Sequence, residues 1–144
     1  MYVDSQLELS NAQAVTASAA STNYIDMLVT VPERGAGRPL YVVCNVQTAM
    51  TDSSSDSTVT VTIQVDADTA FSDQTTIVTL EVFAAVSAAG TRRSALLPAL
   101  GVDERYLRGY YTVANGNLTT GSFDLFITTD VDTLTKFADN RTIS

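Results

Sequence analysis

The sequence predicts an all-β fold, an antiparallel β-sandwich of the jelly-roll kind, and three features lead there. Apolar and polar residues alternate over short runs, as in "STVTVTIQVDAD", which is the period of a half-buried strand. Polar segments rich in Gly, Pro, Asn, Asp and Ser separate these runs, namely "PERGAGRP", "TDSSSDS", "SAAGT" and "ANGNLTTG", at the spacing of an antiparallel sandwich or barrel. No segment carries a helical apolar stripe of useful length. About seven or eight short strands in one domain make the jelly roll the expected topology.

The elements follow in order. "SNAQAVTASAAS" is rich in alanine, but its serines and threonines compete for the backbone and no large apolar stripe would dock a helix. Residues 1–23 therefore read as an extended arm, in which Leu7 and Leu9 alternate like a short strand able to add to a sheet edge. "YIDMLVTV" from Tyr24 is a weaker strand candidate. "PLYVVCNVQTA" sets Val42, Cys44 and Val46 on one face, with Tyr41 and Val43 giving the other some apolar character. In the next strand Val59, Val61, Ile63 and Val65 oppose Thr58, Thr60, Thr62 and Gln64. "TTIVTLEVF" places Val78, Leu80 and Val82 opposite Ile77, Thr79, Glu81 and Phe83. "RRSALLP", from Arg92, is cut short by Pro98.

The last two strands are Tyr106 to Val113 and Phe123 to Ile127, the second with Phe123, Leu125 and Ile127 opposite Asp124, Phe126 and Thr128. Asn115-Gly116 is the strongest turn signal, because both residues tolerate positive φ, and it is expected to join these two strands. Residues 131–144 read as a C-terminal tail. The domain reading is one jelly roll over 1–144 with the arm and tail at its ends.

Composition narrows the function classes. A chain of 144 residues is long enough to bury a core without a metal or disulfide. Cys44 is the only cysteine and reads as core. "MYVDSQLELS" has no basic start followed by an apolar run, and no stretch approaches membrane-spanning length, so the expectation is a soluble protein made in a cytoplasm, without membrane contact. Sixteen acidic residues against eight basic ones give a formal charge of −8, which makes nucleic acid a poor partner. Histidine is absent, removing the usual general base near neutral pH and the commonest transition-metal ligand. No nucleophile and base pair presents itself, so no enzyme is expected.

Four motifs invite chemistry. "DADTAFSD" gathers Asp66, Asp68 and Asp73, but an EF-type loop from Asp66 would need glycine at Phe71 and glutamate at Ile77. A turn whose aspartates bind local backbone, with Phe71 packed over the sandwich edge, is the expected reading, and neither metal nor cofactor is expected. "RGAGRP" lacks the third glycine, following helix and lysine of a phosphate loop and reads as a turn flanked by Arg34 and Arg38. Asn117-Leu118-Thr119 and Asn140-Arg141-Thr142 match the glycosylation sequon, which has no meaning without secretion. Arg92 and Arg93 are candidates for contact with an acidic partner, though solvated charge beside a strand is the commoner role.

The stretch "DERYLRGYYTVANG" stands apart. Alternation puts Leu107, Gly109, Tyr111 and Val113 on a core-like face and Tyr106, Arg108, Tyr110 and Thr112 on the other. The second face suits a protein interface, where Tyr and Arg are enriched, or a platform for sugar rings. It equally suits an ordinary sheet surface on which Tyr and Arg stack on each other.

An ordered set of segments resembles a known family. "LELSNAQAVTASAASTNYID", "GAGRPLYVVCNV", "STVTVTIQVDADTAFSD" and "RYLRGYYTVANGNLTTGSFDLFI", spanning about residues 7 to 128, resemble the small jelly-roll capsid cement, or decoration, proteins of tailed bacteriophages. The likeness lies in order and spacing, and "VDTLTKFADNRTIS" adds nothing to it. The resemblance implies a homo-oligomer, dimer or trimer, on the outer capsid surface of the virion, bridging subunits of the major capsid protein after the shell expands. It implies no reaction. Candidate interface residues are Tyr106, Arg108, Tyr110, Arg92, Arg93, Leu7 and Leu9. The alternative is a carbohydrate-binding β-sandwich module using Tyr106, Arg108 and Tyr110.

Overall fold

Strand pairing in this protein is nested: the first strand pairs with the last, the second with the seventh, the third with the sixth and the fourth with the fifth. The computed structural model describes residues 4–27, 39–98 and 104–129. After a 3₁₀ turn at Ser5–Leu7, the strands are β1 (Glu8–Ala14), β2 (Ala19–Asp26), β3 (Leu40–Thr51), β4 (Thr58–Asp66), β5 (Thr75–Thr79), β6 (Arg92–Leu97), β7 (Tyr106–Ala114) and β8 (Thr120–Thr128). They form two antiparallel four-stranded sheets, in the orders β1-β8-β3-β6 and β2-β7-β4-β5. Nesting across two sheets makes this the jelly roll that the sequence predicts.

The core lies between the sheets. Val42, Cys44, Val46, Phe123, Leu125 and Ile127 from the first sheet meet Val59, Val61, Ile63, Val65, Leu107 and Tyr111 from the second. All these side chains are buried, as strand alternation requires. Val113 is half-buried and packs against this cluster. Ile63 stands opposite Gly109 in register. A Cβ at Gly109 would collide with the Leu125 side chain, so the glycine is the notch into which the other sheet's leucine fits. The Phe83 and Phe123 rings meet edge to face at 5.6 Å, and Tyr111 lies 5.4 Å from Phe123.

Two expectations need correction, and a third is met in a different setting. The stretch read as an arm is two integral strands. β1 inserts Leu9 into the core beside β8, Val15 follows it inward, and β2 lines β7. These strands lack a long apolar stripe because each is an edge strand held by its backbone ladder, and their small side chains fit a narrow flank. The edge of β2 is partly sealed by Gln13, whose Oε1 accepts from Thr22 N at 2.8 Å and whose Nε2 donates to Ala20 O at 2.8 Å. One side-chain amide thus replaces a neighbouring strand.

Beyond β5, alternation fails: Leu80 is buried but Val82 is exposed, and Phe83 enters the core. The ladder ends at Thr79, and beyond it the chain is tied to β4 by Leu80 N, which donates to Val61 O at 2.9 Å, and by the bridge of Phe83 with Val59. Asn115-Gly116 joins β7 to β8 with both residues at positive φ, yet the connection is no hairpin, since β7 and β8 lie in different sheets.

The ladders also fix which connections share an end. Ala14, Thr51, Thr58, Ala114 and Thr120 gather at one end, and Glu8, Asp26, Leu40, Asp66, Leu97, Tyr106 and Thr128 at the other. Arg34 and Arg38, the tail 131–144 and the Asn140 sequon lie outside the described residues.

Replacing Ile63 by alanine is expected to cost about 2–5 kcal/mol by leaving a cavity. Gly109→Ala is expected to cost about 1–3 kcal/mol through overpacking against Leu125. Urea unfolding monitored by circular dichroism measures both.

Candidate functional site

The outer face of β7 carries Tyr106, Arg108 and Tyr110, all half-buried, while Leu107 and Tyr111 point into the core. Register extends this face sideways. Arg108 stands between Tyr24 of β2 and Gln64 of β4, and Tyr106 stands between Asp26 and Asp66. Tyr24 is the most exposed aromatic here, at 51 %. Its ring meets Tyr106 edge to face at 5.7 Å and Phe71 at 6.4 Å.

Arg108 organises the surface. Its guanidinium carbon lies 4.3 Å from the centre of the Phe71 ring and 5.5 Å from that of Tyr110, while Nε donates to Gln64 Oε1 at 3.0 Å. A cation held over two rings and one amide has little freedom left. Beside it, Arg105 grips Asp26 through two bonds of 2.7 and 2.8 Å and lies 5.1 Å from the Tyr106 ring.

The turn that supplies Phe71 is built by its aspartates. Asp66 accepts from the backbone N–H groups of Asp68 and Asp73, and Asp68 accepts from those of Ala70 and Phe71. These bonds hold Phe71 at φ 50°, strained for an aromatic residue, and press its buried ring over the sandwich edge onto Arg108. Burial works to raise the Asp66 carboxyl, but bonds from the backbone of Asp73, Asp68 and Ala67, together with the Arg108 charge, outweigh it and hold the carboxyl below its ordinary value. Among the described residues no cluster of three or more metal-ligating side chains occurs.

The remaining candidates are scattered. Leu9 is wholly buried, so its place in the protein's own core removes it from any contact surface. Leu7 is half-buried and packs against the same cluster. Arg93 stands in register with Cys44 and lies 5.5 Å from the Phe83 ring, with Nε 3.5 Å from Glu81. It shields the open flank of the core. Arg92 points to the opposite side of β6, in register with Asn45. The fold therefore brings Tyr106, Arg108 and Tyr110 together and leaves the other four elsewhere.

Tyr24, Phe71, Asp26 and Arg105 belong to the surface but were absent from the candidates. Tyr24 had a signal, as an aromatic in a strand run, whereas the approach of Phe71 depends on the turn. A groove of about 690 Å³ opens beside this surface, lined by residues 5–8 and Thr22 to Asp26, between the unpaired flanks of β1 and β2. Cys44 and Tyr111 offer no chemistry, since burial pushes both the thiol and the phenol up and keeps them neutral.

A carboxyl held below its unfolded value stabilises the fold above the unfolded value near 4, and that contribution is lost as pH falls through the lower folded value. Asp66→Asn is accordingly expected to lower Tm at pH 7, with the gap from wild type closing as pH drops below about 4. Because Asp66 and Asp68 already accept from backbone, melting curves recorded with calcium and with a chelator are expected to coincide.

No curated protein matches the chain. The family model described as Bbp16 matches residues 9–127, from the second residue of β1 to the next-to-last residue of β8, and so takes in the whole jelly roll. The chain therefore belongs to the Bbp16 family, a phage-associated family.

Proposed function

We propose that the protein is a structural virion component, a capsid cement or decoration protein that binds the outer surface of an expanded icosahedral phage shell and bridges major capsid protein subunits as a homo-oligomer. The observation that carries this reading is the match to a phage-associated family across both sheets. The likeness of four ordered sequence segments to jelly-roll cement proteins agrees with it. Synthesis in the host bacterial cytoplasm, without a membrane, nucleic-acid or cofactor partner, completes the proposal, and no reaction is assigned.

The physical role suits the architecture. A two-sheet sandwich with a close-packed core resists deformation, and an acidic surface keeps the free protein soluble until sites on a shell become available. Many copies, each bound with modest energy, add up against internal pressure. The Tyr24, Tyr106 and Tyr110 surface is the docking face assigned in this proposal, because tyrosine anchors supply much of the energy of protein interfaces and Arg108 already holds the face rigid. Arg108 is stacked on two rings and bonded through Nε to Gln64 within the chain, so the tyrosine edges, Tyr24 above all, are the groups offered outward for a protein contact.

The test is co-sedimentation with empty expanded capsids of the source phage, set against binding to a glycan array. Tyr24→Ala together with Tyr110→Ala is expected to weaken shell binding by about 2 kcal/mol or more, roughly 30-fold, with little change in Tm. Unchanged shell binding with loss of a glycan signal would instead establish the carbohydrate module.

A further inference from the structure

Besides the tyrosine edges, the outer face of β7 presents an arginine that is only partly engaged. Arg108 stands in register between Tyr24 and Gln64, and Tyr106 and Tyr110 share its face of the strand, each about 7 Å away along the chain. Gln64 is itself buried, at 8 % exposure, and its Oε1 takes the Nε hydrogen of Arg108. The Phe71 ring covers one side of the guanidinium. One edge and one side of the group are therefore fixed by the chain. Its two terminal nitrogens, Nη1 and Nη2, have no hydrogen-bond or ion-pair partner among the described residues, and neither is sealed from solvent.

The neighbouring charges are committed differently. Arg105 holds Asp26 with two bonds, and Arg93 lies beside Glu81. Asp66 feels the Arg108 charge, but its oxygens are taken by the backbone N–H groups of Asp68 and Asp73. Arg108 is thus left with the end of its fork free and already aimed. Two parallel N–H groups at that end match the two oxygens of a carboxylate. The surrounding rings thin the water there, so a charge pair formed among them is screened less than one in open solvent. A polyanion fits poorly, because Asp26 and Asp66 flank Tyr106 on the same face and the chain carries a formal charge of −8. A single side-chain carboxylate meets the fork without that repulsion.

We propose, resting on the tyrosine surface being the docking face, that the Nη1 and Nη2 groups of Arg108 receive one carboxylate side chain of the major capsid protein at the centre of that face. Tyr24, Tyr106 and Tyr110 then surround the pair and exclude water from it, while Gln64 and Phe71 keep the fork aimed.

The experiment measures co-sedimentation of the full chain, as wild type, Arg108→Gln and Arg108→Lys, with empty expanded capsids of the source phage. Each measurement is repeated on shells whose carboxylates have been capped with glycinamide through a carbodiimide. Arg108→Gln is expected to lose roughly 30-fold or more in affinity, and Arg108→Lys to recover only part of it, since lysine keeps the charge and lacks the fork. Capping is expected to weaken wild-type binding by about tenfold or more and to leave Arg108→Gln binding nearly unchanged, because the two groups act as one pair. Wild-type binding untouched by capping would overturn the proposal, whatever Arg108→Gln does to the fold. So would equal weakening of wild type and Arg108→Gln by capping, which would put the shell carboxylates elsewhere in the contact. Arg108→Gln binding as wild type, while Tyr24→Ala with Tyr110→Ala still weakens it, would remove the carboxylate and leave the docking face standing; with neither variant weakened, both would fall together. A changed oligomeric state of Arg108→Gln in analytical ultracentrifugation, with shell binding intact, would also overturn it by placing the carboxylate on a second copy of the chain.

Discussion

The relative position of the two sheets rests on the fit of Leu125 into the notch over Gly109. A sheet cannot slide past another when a large side chain of one occupies the space a Cβ would fill in its partner. Because Ile63 is in register with Gly109 and Cys44 with Leu125, this one contact aligns the central strands of both sheets. The aromatic contacts of Phe83, Phe123 and Tyr111 follow from that alignment. A one-residue slip of β7 would turn Tyr106, Arg108 and Tyr110 inward and bury a guanidinium, so the packing of the core also decides the chemistry of the surface.

The outer face of the second sheet shows what a fixed register permits. Arg108 has Gln64 beside it because β4 and β7 pair as they do, and has Phe71 above it because Asp66 and Asp68 hold the following turn closed. The side chains forming this face are immobilised before any partner arrives, which reduces the entropy lost on binding. Tyr24, at the edge strand, keeps half its surface free and is the least restrained of the group.

The two ends of the sandwich are finished differently. At one end the connections are tied to each other: Asp52 accepts from Ser57 N, the single Ser57 hydroxyl hydrogen is shared between Asp52 Oδ2 at 2.8 Å and Gly116 O at 2.9 Å, and Asn115 Nδ2 donates to Asp56 O. This network joins the β3–β4 and β7–β8 connections. At the other end lie the Tyr and Arg surface and the groove between β1 and β2. Structural closure and chemical display are thus separated along the long axis of the fold.

The sequence alone determined the fold class, because period-two alternation in β4, β7 and β8 is a local property that survives in any β-context. It also determined which face of β7 would carry Tyr106, Arg108 and Tyr110, and that the aspartates of "DADTAFSD" would serve their own turn. Only the tertiary structure decided the rest. Residues 8–26 became edge strands because a backbone ladder to β8 and β7 stabilises segments whose own side chains are too small to announce a strand. Phe83 replaced Val82 in the core because the chain leaves the ladder after Thr79 and resets its alternation. Asn115-Gly116 crossed between sheets because β8 finds its partners in β1 and β3, far away in sequence. Phe71 came to lie over Arg108 because two segments 37 positions apart in the chain are brought together by strand register, and no local pattern encodes a contact between distant strands.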